Sequence, residues 1–369
     1  MSILPPQSAA VPPGIRCAAD YARLARDVID PALFAHIDGG SGRDMTAQAN
    51  LAAFADRAIV PRLLRDVSGG ETACTMADMT LPHPILLAPV AAQGSVHPDA
   101  ERATALAARA THTVMIASSL SSLTLEDIAA TGEGHRWFQL YLQPDRATNV
   151  GLLRRAADAG YRAIMVTLDT PVQVPSFAAE RAGYVPPTAV AANLAGYPLS
   201  PPVAVAAGDS RILRGMMARA PGWGDLDWLL GATTLPVWVK GVLHPEDARA
   251  LVARGVAGVV VSNHGGRSLD GAPPSLTVLP GIRAAIGAGV PILFDGGIRS
   301  GRDVFMAIAS GADAVLVGRL QMFALAVAGA LGVAHMIRTL REELELCMAL
   351  AGCATLEDVR MATLVNRSC

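Results

Sequence analysis

A histidine and an arginine stand three residues apart in the segment Val-Val-Val-Ser-Asn-His-Gly-Gly-Arg-Ser-Leu-Asp-Gly, residues 259–271. The apolar run before Ser262 is typical of a buried strand, so it would deliver His264 and Arg267 onto the loop that follows. A neutral imidazole can accept a proton near neutral pH. A guanidinium can hold a carboxylate through two parallel hydrogen bonds. A base beside a carboxylate-binding arginine suits an enzyme that acts on the carbon next to an acid group.

Two glycine turns further along the chain have the composition of an anion site. The segment Asp-Gly-Gly-Ile-Arg at 295–299 follows one apolar run, and Gly-Arg at 318–319 follows the next. Glycines let backbone N–H groups approach an anion closely, and a helix N-terminus adds a favourable dipole. The first turn alone could equally be an ordinary glycine turn. A second one after the next strand favours a phosphate site, which barrels commonly hold after strands seven and eight.

Eight short apolar runs alternate with helix-type stretches from about residue 84 onward. Each run is continuously apolar, as strands buried on both faces are. The predicted strands are residues 84–90, 113–119, 137–142, 163–169, 236–242, 258–264, 291–297 and 314–319. Eight strand–helix units predict an α/β fold, a (β/α)8 TIM barrel, with the whole chain 1–369 as a single domain. The alternative, a doubly wound open sheet, would be supported by a linker that the sequence does not show.

Three segments depart from this alternation. Residues 1–80 predict an N-terminal extension of two or three helices, 18–28 and 31–37 among them, which would pack outside or below the barrel. Residues 327–350 and 355–364 predict helices at the C-terminus. Strands four and five are separated by 66 residues, 170–235, rich in Pro, Ala and Gly. Because a connection this long is usually a lid and leaves the active end of strand four, residues 170–225 are expected to cover the active face.

Composition and charge argue against several classes of protein. Hydrophobic residues make up 51% and charged residues 17%, which supplies a core and argues against disorder. A net charge of −2 gives no reason to expect nucleic acid or a membrane surface as partner. No run reaches the 18 uninterrupted apolar residues of a membrane span, and no secretory signal pattern is visible. The five scattered cysteines predict reduced thiols in a cytoplasmic protein, without a metal site.

Residues 262–270 resemble the signature Ser-Asn-His-Gly-small-Arg-Gln-Leu-Asp of the FMN-dependent α-hydroxy acid oxidase/dehydrogenase family, and they depart from it only at Ser268. That family includes glycolate oxidase, lactate oxidase and mandelate oxidase or dehydrogenase. Other matches follow in order, namely Leu-Ala-Pro-Val-Ala at 87–91, Phe-Gln-Leu-Tyr at 138–141, Val-Thr-Leu-Asp-Thr-Pro at 166–171 and Val-Lys-Gly-Val at 239–242. The resemblance, from about residue 18 to 365, implies FMN-dependent oxidation of an L-2-hydroxy acid to a 2-oxo acid in a homotetramer.

The resemblance also assigns roles to the matched residues. It makes His264 the base, places Asp169 against its imidazole and Tyr141 near the substrate oxygen, and sets Lys240 beside the flavin ring. Arg267 would hold the substrate carboxylate. The implied FMN-binding residues are Pro89, Val90, Ala91, Ser118, Gln139, Thr167, Lys240, Ser262, Asp295, Gly296, Gly297, Arg299, Gly318 and Arg319. Ala91 resembles the oxidases rather than the dehydrogenases, which carry glycine there, and favours O2 over another electron acceptor.

Two positions depart from the family pattern. His36 stands where the family carries a tyrosine near the substrate, and we expect it to keep a hydrogen-bonding role there. Ser176 stands where the family carries a second carboxylate-binding arginine, which leaves Arg181 as the nearest substitute. Leu120 and Ser176 would leave room for a bulky or aromatic substrate such as mandelate. Two alternatives stay open, the same flavin site acting on an amine, hydroxy-amide or carrier- or peptide-linked hydroxy acid, and a flavin-binding protein without catalysis.

Overall fold

The computed structural model describes residues 10–76, 79–186, 191–198, 201 and 203–367 of the chain. Its N-terminal region contains three helices and three short strands, α1 (Asp20–Val28), α2 (Pro31–Asp38), α3 (Met45–Ala55), β1 (Arg57–Ile59), β2 (Cys74–Met76) and β3 (Met79–Leu81). The two predicted helices are present. Asp30 caps α2 by accepting hydrogen bonds from Ala32 N and Leu33 N, and a proline opens its first turn. The three strands were not predicted.

Eight parallel strands follow, β4 (Ile85–Leu87), β5 (Val114–Ser118), β6 (His135–Leu140), β7 (Ile164–Thr167), β8 (Val237–Val242), β9 (Gly258–Val261), β10 (Ile292–Phe294) and β11 (Ala314–Val317). They close into a barrel in the order β10-β11-β4-β5-β6-β7-β8-β9. Each strand coincides with one of the eight predicted apolar runs, so the (β/α)8 barrel is confirmed. The runs are apolar throughout because a barrel strand meets the interior on one face and a helix layer on the other.

The remaining helices lie mainly around the barrel, α4 (Ala100–Ala110), α5 (Leu125–Ala129), α6 (Arg146–Asp158), α7 (Phe177–Arg181), α8 (Trp223–Ala232), α9 (Pro245–Ala253), α10 (Ser275–Ile286), α11 (Gly301–Ala309) and α12 (Arg319–Ala351). By length and composition α12 could cross a membrane, but 78% of its most apolar stretch is buried inside the protein. It bends at Ala328 and Gly329 and packs against α1, α4 and α11. Its apolar surface is thus used within the fold.

Large apolar side chains fill the barrel interior. The rings of Trp137 and Trp238 lie 4.8 Å apart between their centroids, and both are fully buried. The hairpin β2–β3 contributes Met76, Met79 and Leu81 to the same cluster. Because these residues pack with the side chains at the start of the strands, the hairpin closes the barrel at the end opposite the active face.

The C-terminus ends in α13 (Leu356–Arg360) and β12 (Leu364–Asn366). The predicted helix over 355–364 is therefore correct in its first part and wrong after Arg360. The chain is extended there because β12 pairs antiparallel with β1, more than 300 residues earlier. No local pattern in a three-residue strand could have signalled that pairing.

The α2–α3 segment lies over the carboxyl ends of the barrel strands, where the sequence predicted it outside or below the barrel. Thr46 Oγ1 donates a hydrogen bond to the carbonyl of Ala272 at 3.1 Å, which ties α3 to the loop after β9. Gly266 in that loop has φ +79°, and a Cβ there would collide with the backbone of Ala47. The expectation was wrong for α2 and α3 because their partners lie more than 200 residues away.

The connection between β7 and β8 contains α7, helical turns at Arg211–Gly215 and Met216–Arg219, and α8. A cavity of about 650 Å³ lies beneath it. Its walls include Tyr141 and Thr167 from the strand ends and Val203 and Met216 from the connection. The described part of residues 170–225 thus contributes to the wall of a cavity at the carboxyl ends of the strands, and its action as a lid stays a prediction; residues 187–190, 199–200 and 202 lie outside the described residues.

Candidate active site

The loop after β9 aims the side chain of His264 across the open end of the barrel. His264 has φ +60°, a left-handed conformation that costs energy for a residue with a side chain. Two hydrogen bonds hold it there: His264 N donates to Ser262 Oγ at 2.9 Å, and Gly266 N donates to Asn263 Oδ1 at 3.0 Å. Asn263 is itself fixed by reciprocal amide hydrogen bonds with Asn50 of α3, at 2.8 and 2.9 Å. Asn50 of the N-terminal region therefore helps to hold the loop that carries His264.

His264 is paired with a buried carboxylate. Its Nδ1 lies 2.9 Å from Oδ1 of Asp169, which stands two residues after the end of β7. Because an ionised carboxylate only accepts, Nδ1 carries the proton and Nε2 is left as an acceptor. Nε2 lies 3.4 Å from the hydroxyl of Tyr141. Burial and the charge of Lys240 together lower the pKa of His264 although Asp169 opposes them, so the ring is neutral at pH 7 and able to take a proton.

Lys240 supplies a buried positive charge on β8. Its Nζ lies 3.4 Å from Oδ2 of Asp295 and 4.0 Å from Oδ2 of Asp169, and it donates to Ser262 Oγ at 2.9 Å. Burial by itself would lower the pKa of Lys240, but Asp295 and Asp169 outweigh it and the pKa is raised. Likewise burial would raise the pKa of Asp169, but Lys240 and His264 hold it below its usual value. The ammonium and the carboxylate are both charged at neutral pH.

Polar groups continue around the rim from β5 to β8. Ser118 Oγ donates to Gln139 Oε1 at 3.0 Å, and Gln139 Nε2 donates to Thr167 Oγ1 at 3.1 Å. The strand register pairs Thr167 with Lys240. Fixed donors and acceptors on consecutive strands suit the polar edge of a planar heteroaromatic ring. The predicted turn Pro89–Ala91 follows β4 and neighbours this group, since Ala92 N donates to the carbonyl of Leu120 just after β5.

A second cavity of about 550 Å³ lies where the loops after β9, β10 and β11 meet the α2–α3 segment. Gly265, Gly297, Arg299 and Arg319 line it from the barrel side. Burial and then the positive charges of Arg299 and Arg267 lower the pKa of Arg319 to about 9. Such a concentration of buried cations favours an anion, and the N-terminus of α12 at Arg319 adds its dipole. These features fit a phosphate.

The residues predicted to form the anion site fall into two groups in the structure. Gly297, Arg299 and Arg319 line the cavity, whereas Gly296 and Gly318 stand in the adjoining turns. The carboxylate of Asp295 instead accepts from Ser262 Oγ at 2.6 Å and faces Lys240. Asp295 and Ser262 thus belong to the charge network around Lys240, and the carboxylates that line the arginine cavity are those of Asp38 and Asp44.

Arg267 faces the site with part of its guanidinium already engaged. Its Nη1 donates to the carbonyls of His36 at 2.6 Å and Gly39 at 3.0 Å, and its Nη2 lies 3.0 Å from Nε2 of His36. Three of its five N–H groups are therefore used, which leaves Nε–H and one Nη2–H. Those two form the side-on fork that can hold a carboxylate.

Neither Ser176 nor Arg181 reaches the site as a carboxylate-binding group. Ser176 is buried; its Oγ caps α7 by accepting from Ala178 N at 3.1 Å, and it donates to Asp44 Oδ2 at 2.9 Å. Arg181 is exposed on the last turn of α7 and makes no hydrogen bond or ion pair with any described residue. Among the described residues, Arg267 is thus the one arginine that faces the expected position of the substrate.

One side chain at this position was missed by the sequence analysis. The ring of Tyr184, which follows α7, stacks on the ring of His36 with a centroid distance of 3.9 Å and an angle of 7°. Tyr184 stands in the proline- and alanine-rich connection after β7, where no periodicity marks a residue that points inward. The histidine at position 36, where the family carries a tyrosine, was the one feature of the sequence that indicated a difference from the family in this part of the site.

The residues present fit FMN. The buried arginines suit its phosphate, the hydrogen-bonded groups of β5 to β7 suit the polar edge of its ring, and Lys240 suits a ring that gains negative charge. A planar cofactor between these groups would lie beside Nε2 of His264, so the base and the ring would meet at the substrate.

Comparisons with known proteins agree with this arrangement. The chain is 61% identical over 355 residues to the L-lactate oxidase of Alicycliphilus denitrificans, covering 96% of this chain and 97% of that protein. It is 40% identical over 351 residues to glycolate oxidase 1 of Zea mays, covering 95% of each. The crystal structure of a mandelate oxidase superposes with a TM-score of 0.86 at 40% identity, covering 95% of this chain and 98% of that one. Residues 25–366 match the FMN-dependent dehydrogenase family, and the chain belongs to that family.

Proposed function

We propose that this enzyme oxidises an L-2-hydroxy acid to the corresponding 2-oxo acid, with FMN as cofactor and O2 as electron acceptor. The observation that carries the proposal is the placement of a base and a carboxylate-binding group, His264 and Arg267, on the same loop at the carboxyl end of the barrel. His264 presents a proton-accepting Nε2, backed by Asp169 at 2.9 Å, and Arg267 presents a free two-donor fork to a carboxylate. A 2-hydroxy acid has its reacting carbon directly beside that carboxylate.

The chain's own residues account for the proton transfer and the charge. Oxidation of the alcohol removes two electrons and two protons; FMN, when bound, would supply the acceptor for both electrons together with one proton, a hydride equivalent, and the second proton goes to a residue of the chain. His264 accepts a proton at Nε2, and Asp169 stabilises the imidazolium that results. Tyr141 contacts the same region through its hydroxyl, 3.4 Å from Nε2. Lys240 holds a buried positive charge beside Ser262 and Asp295, and it would stabilise negative charge on a flavin bound there.

L-lactate is the first substrate to test, because the L-lactate oxidase of Alicycliphilus denitrificans shares 61% of its residues with this chain. The cavity over the active face supports larger side chains as well. Its walls are largely apolar and include Leu120, Leu142 and Leu168, and its volume of about 650 Å³ far exceeds that of a methyl group. Mandelate, the aromatic candidate from the sequence, therefore belongs in the same test.

A hydroxy-amide is the second candidate for one specific reason. Ser176 is engaged in a helix cap and Arg181 is exposed, so the site offers one arginine to the acid group instead of two. An uncharged carboxamide loses less at such a site than at one with two arginines. The affinity for the acid is therefore expected to exceed that for the amide by a smaller factor than at a site with two arginines.

Anaerobic mixing of the yellow protein with L-lactate, D-lactate, glycolate, (S)-mandelate and the amide of (S)-mandelate tests the proposal. Bleaching of the visible flavin band by the L-acids is the expected result. Bleaching by the amide and by none of the acids would reject the hydroxy acids as substrates and favour a hydroxy-amide. An absence of bleaching with every compound would reject both. In air, hydrogen peroxide should form in a one-to-one ratio with the 2-oxo acid; 2-oxo acid formed only with an added dye would reject O2 as acceptor.

A homotetramer in the cytoplasm is the proposed working form. Exposed apolar side chains on neighbouring segments, Leu63, Leu64, Leu350 and Met361, support an association surface. Among the described residues, Cys17, Cys74, Cys347 and Cys353 are all free thiols, which supports a reducing compartment. Light scattering of the holoenzyme after size-exclusion chromatography tests the assembly, and a monomer would reject it. Cell fractionation of the source organism tests the compartment.

A further inference from the structure

A stacked pair of rings, those of His36 and Tyr184, lies beside Arg267. His36 comes from α2, and Tyr184 follows α7 in the connection after β7. Their rings are nearly parallel, with an angle of 7° and centroids 3.9 Å apart. Because Arg267 bonds to Nε2 of His36 at 3.0 Å, the three side chains form one unit made of three distant parts of the chain.

His36 cannot donate a hydrogen bond to the substrate at Nε2. That atom faces Nη2 of an arginine, which is always a donor, so Nε2 must accept and the proton stays on Nδ1. Burial and then the charges of Arg267 and Arg319 lower the pKa of His36 to about 4, which keeps the ring neutral. Nε2 therefore orients Arg267 and the ring supports Tyr184, so a second donor to the acid must come from another atom, either Nδ1–H of His36 or a neighbouring hydroxyl.

The hydroxyl of Tyr184 is available for that task. It makes no hydrogen bond with any described residue, although the side chain is half-buried. Burial raises the pKa of Tyr184, and the positive charge of Arg267, which bonds to the ring stacked on the phenol, opposes the rise. The phenol is protonated at neutral pH and can donate.

We propose that the hydroxyl of Tyr184 donates a hydrogen bond to the substrate carboxylate beside the fork of Arg267. This inference rests on the proposed function and names the second carboxylate-binding group of the same site. It makes Tyr184 a substrate-binding residue, and it makes His36 a positioning residue that acts through Tyr184 and Arg267. Because Tyr184 belongs to the connection between β7 and β8, this hydrogen bond would also hold that part of the connection next to the substrate.

Tyr184→Phe tests the hydroxyl and keeps the stacked ring. The probe is pyruvate, a 2-oxo acid that cannot reduce the flavin, titrated into the FMN-loaded protein and followed by the flavin difference spectrum. The dissociation constant should rise about tenfold, the effect of one hydrogen bond to a charged group. KM for L-lactate should rise by a similar factor, while the rate of flavin reduction at saturating L-lactate should stay within about twofold.

Tyr197→Phe is the matched control, since Tyr197 lies in the same connection but packs against the outer core near Arg155. It should leave the pyruvate dissociation constant unchanged. An unchanged constant in Tyr184→Phe, equal losses in both variants, or a wild type without any pyruvate difference spectrum would each overturn the inference. The proposed function fails separately, through a wild-type flavin that no hydroxy acid or amide bleaches, and the pyruvate comparison still decides the role of Tyr184 in that case.

Discussion

Oδ1 of Asp169 lies 2.9 Å from Nδ1 of His264, and this contact fixes which nitrogen of the imidazole can act as a base. The carboxylate holds the proton on Nδ1 and turns Nε2 toward the substrate position. It also stabilises the imidazolium that forms when Nε2 takes a proton. The geometry therefore predicts that the carboxylate, and not merely a hydrogen-bonding group of its size, is required.

Asp169→Asn should reduce the rate of flavin reduction by at least about a hundredfold while FMN stays bound. An amide can donate to Nδ1, which places the proton on Nε2 and removes the base. Rapid mixing with saturating L-lactate without oxygen measures the rate, and the flavin spectrum of the purified protein measures occupancy. Asp313→Asn, which removes a carboxylate paired with Arg283 outside the active site, is the control and should leave the rate unchanged. If flavin in Asp169→Asn is reduced at a rate near that of the wild type, the carboxylate of Asp169 is not required for His264 to act as the base.

The rate of flavin reduction should depend on pH through His264. Burial and Lys240 lower the pKa of His264, so the base becomes protonated only below the usual histidine range. The rate should fall as pH drops through that lowered pKa and stay level from neutral pH upward. Lys240 adds no alkaline fall in that range because Asp295 and Asp169, against the effect of burial, raise its pKa above the usual lysine value. A fall in rate centred at or above pH 7 would contradict the assignment.

Arg319 should contribute to FMN binding through the phosphate alone. Its Nε and Nη2 donate to the carbonyls of Ile37, Asp38 and Gly39, while Nη1 faces Gly265 at the cavity. Arg319→Gln should weaken FMN by about 10- to 100-fold, the effect of losing a charge-assisted contact. Riboflavin, which has the same ring and no phosphate, should bind the variant and the wild type equally.

Fluorescence titration of the apoprotein with each flavin gives both dissociation constants. Equal losses for FMN and riboflavin would show that Arg319 acts by holding the α2–α3 segment in place. A loss confined to FMN would assign the buried arginines to the phosphate.

The barrel could be predicted from the sequence because its signals are local. Each strand is a short, continuously apolar run, and the loop after β9 carries His264 and Arg267 next to one another in the chain. The placement of Asp169 against His264 and of Lys240 beside the flavin ring was predicted from the resemblance to the family.

Contacts between distant segments could not be predicted in this way. Nothing in residues 31–55 indicates that the carbonyls of His36 and Gly39 will meet Arg267, because a backbone acceptor leaves no trace in the sequence. Tyr184 was missed for a related reason, since its position depends on the path of an irregular connection. Ser176 was interpreted as a departure from the family pattern, and its capping of α7 became evident only with the helix itself.

Substitutions of Arg267 and of Arg181 should have very different effects on the affinity for a 2-oxo acid. Arg267→Lys should raise the pyruvate dissociation constant by about 10- to 100-fold, because an ammonium cannot reproduce both the fork and the hydrogen bonds to His36 and Gly39. Arg181→Ala should leave the constant unchanged, since that guanidinium is exposed and unengaged among the described residues. Flavin difference spectra measure both variants. A loss of affinity in Arg181→Ala as large as that in Arg267→Lys would mean that the connection swings Arg181 into the site when substrate binds, and that the enzyme holds its acid with two arginines after all.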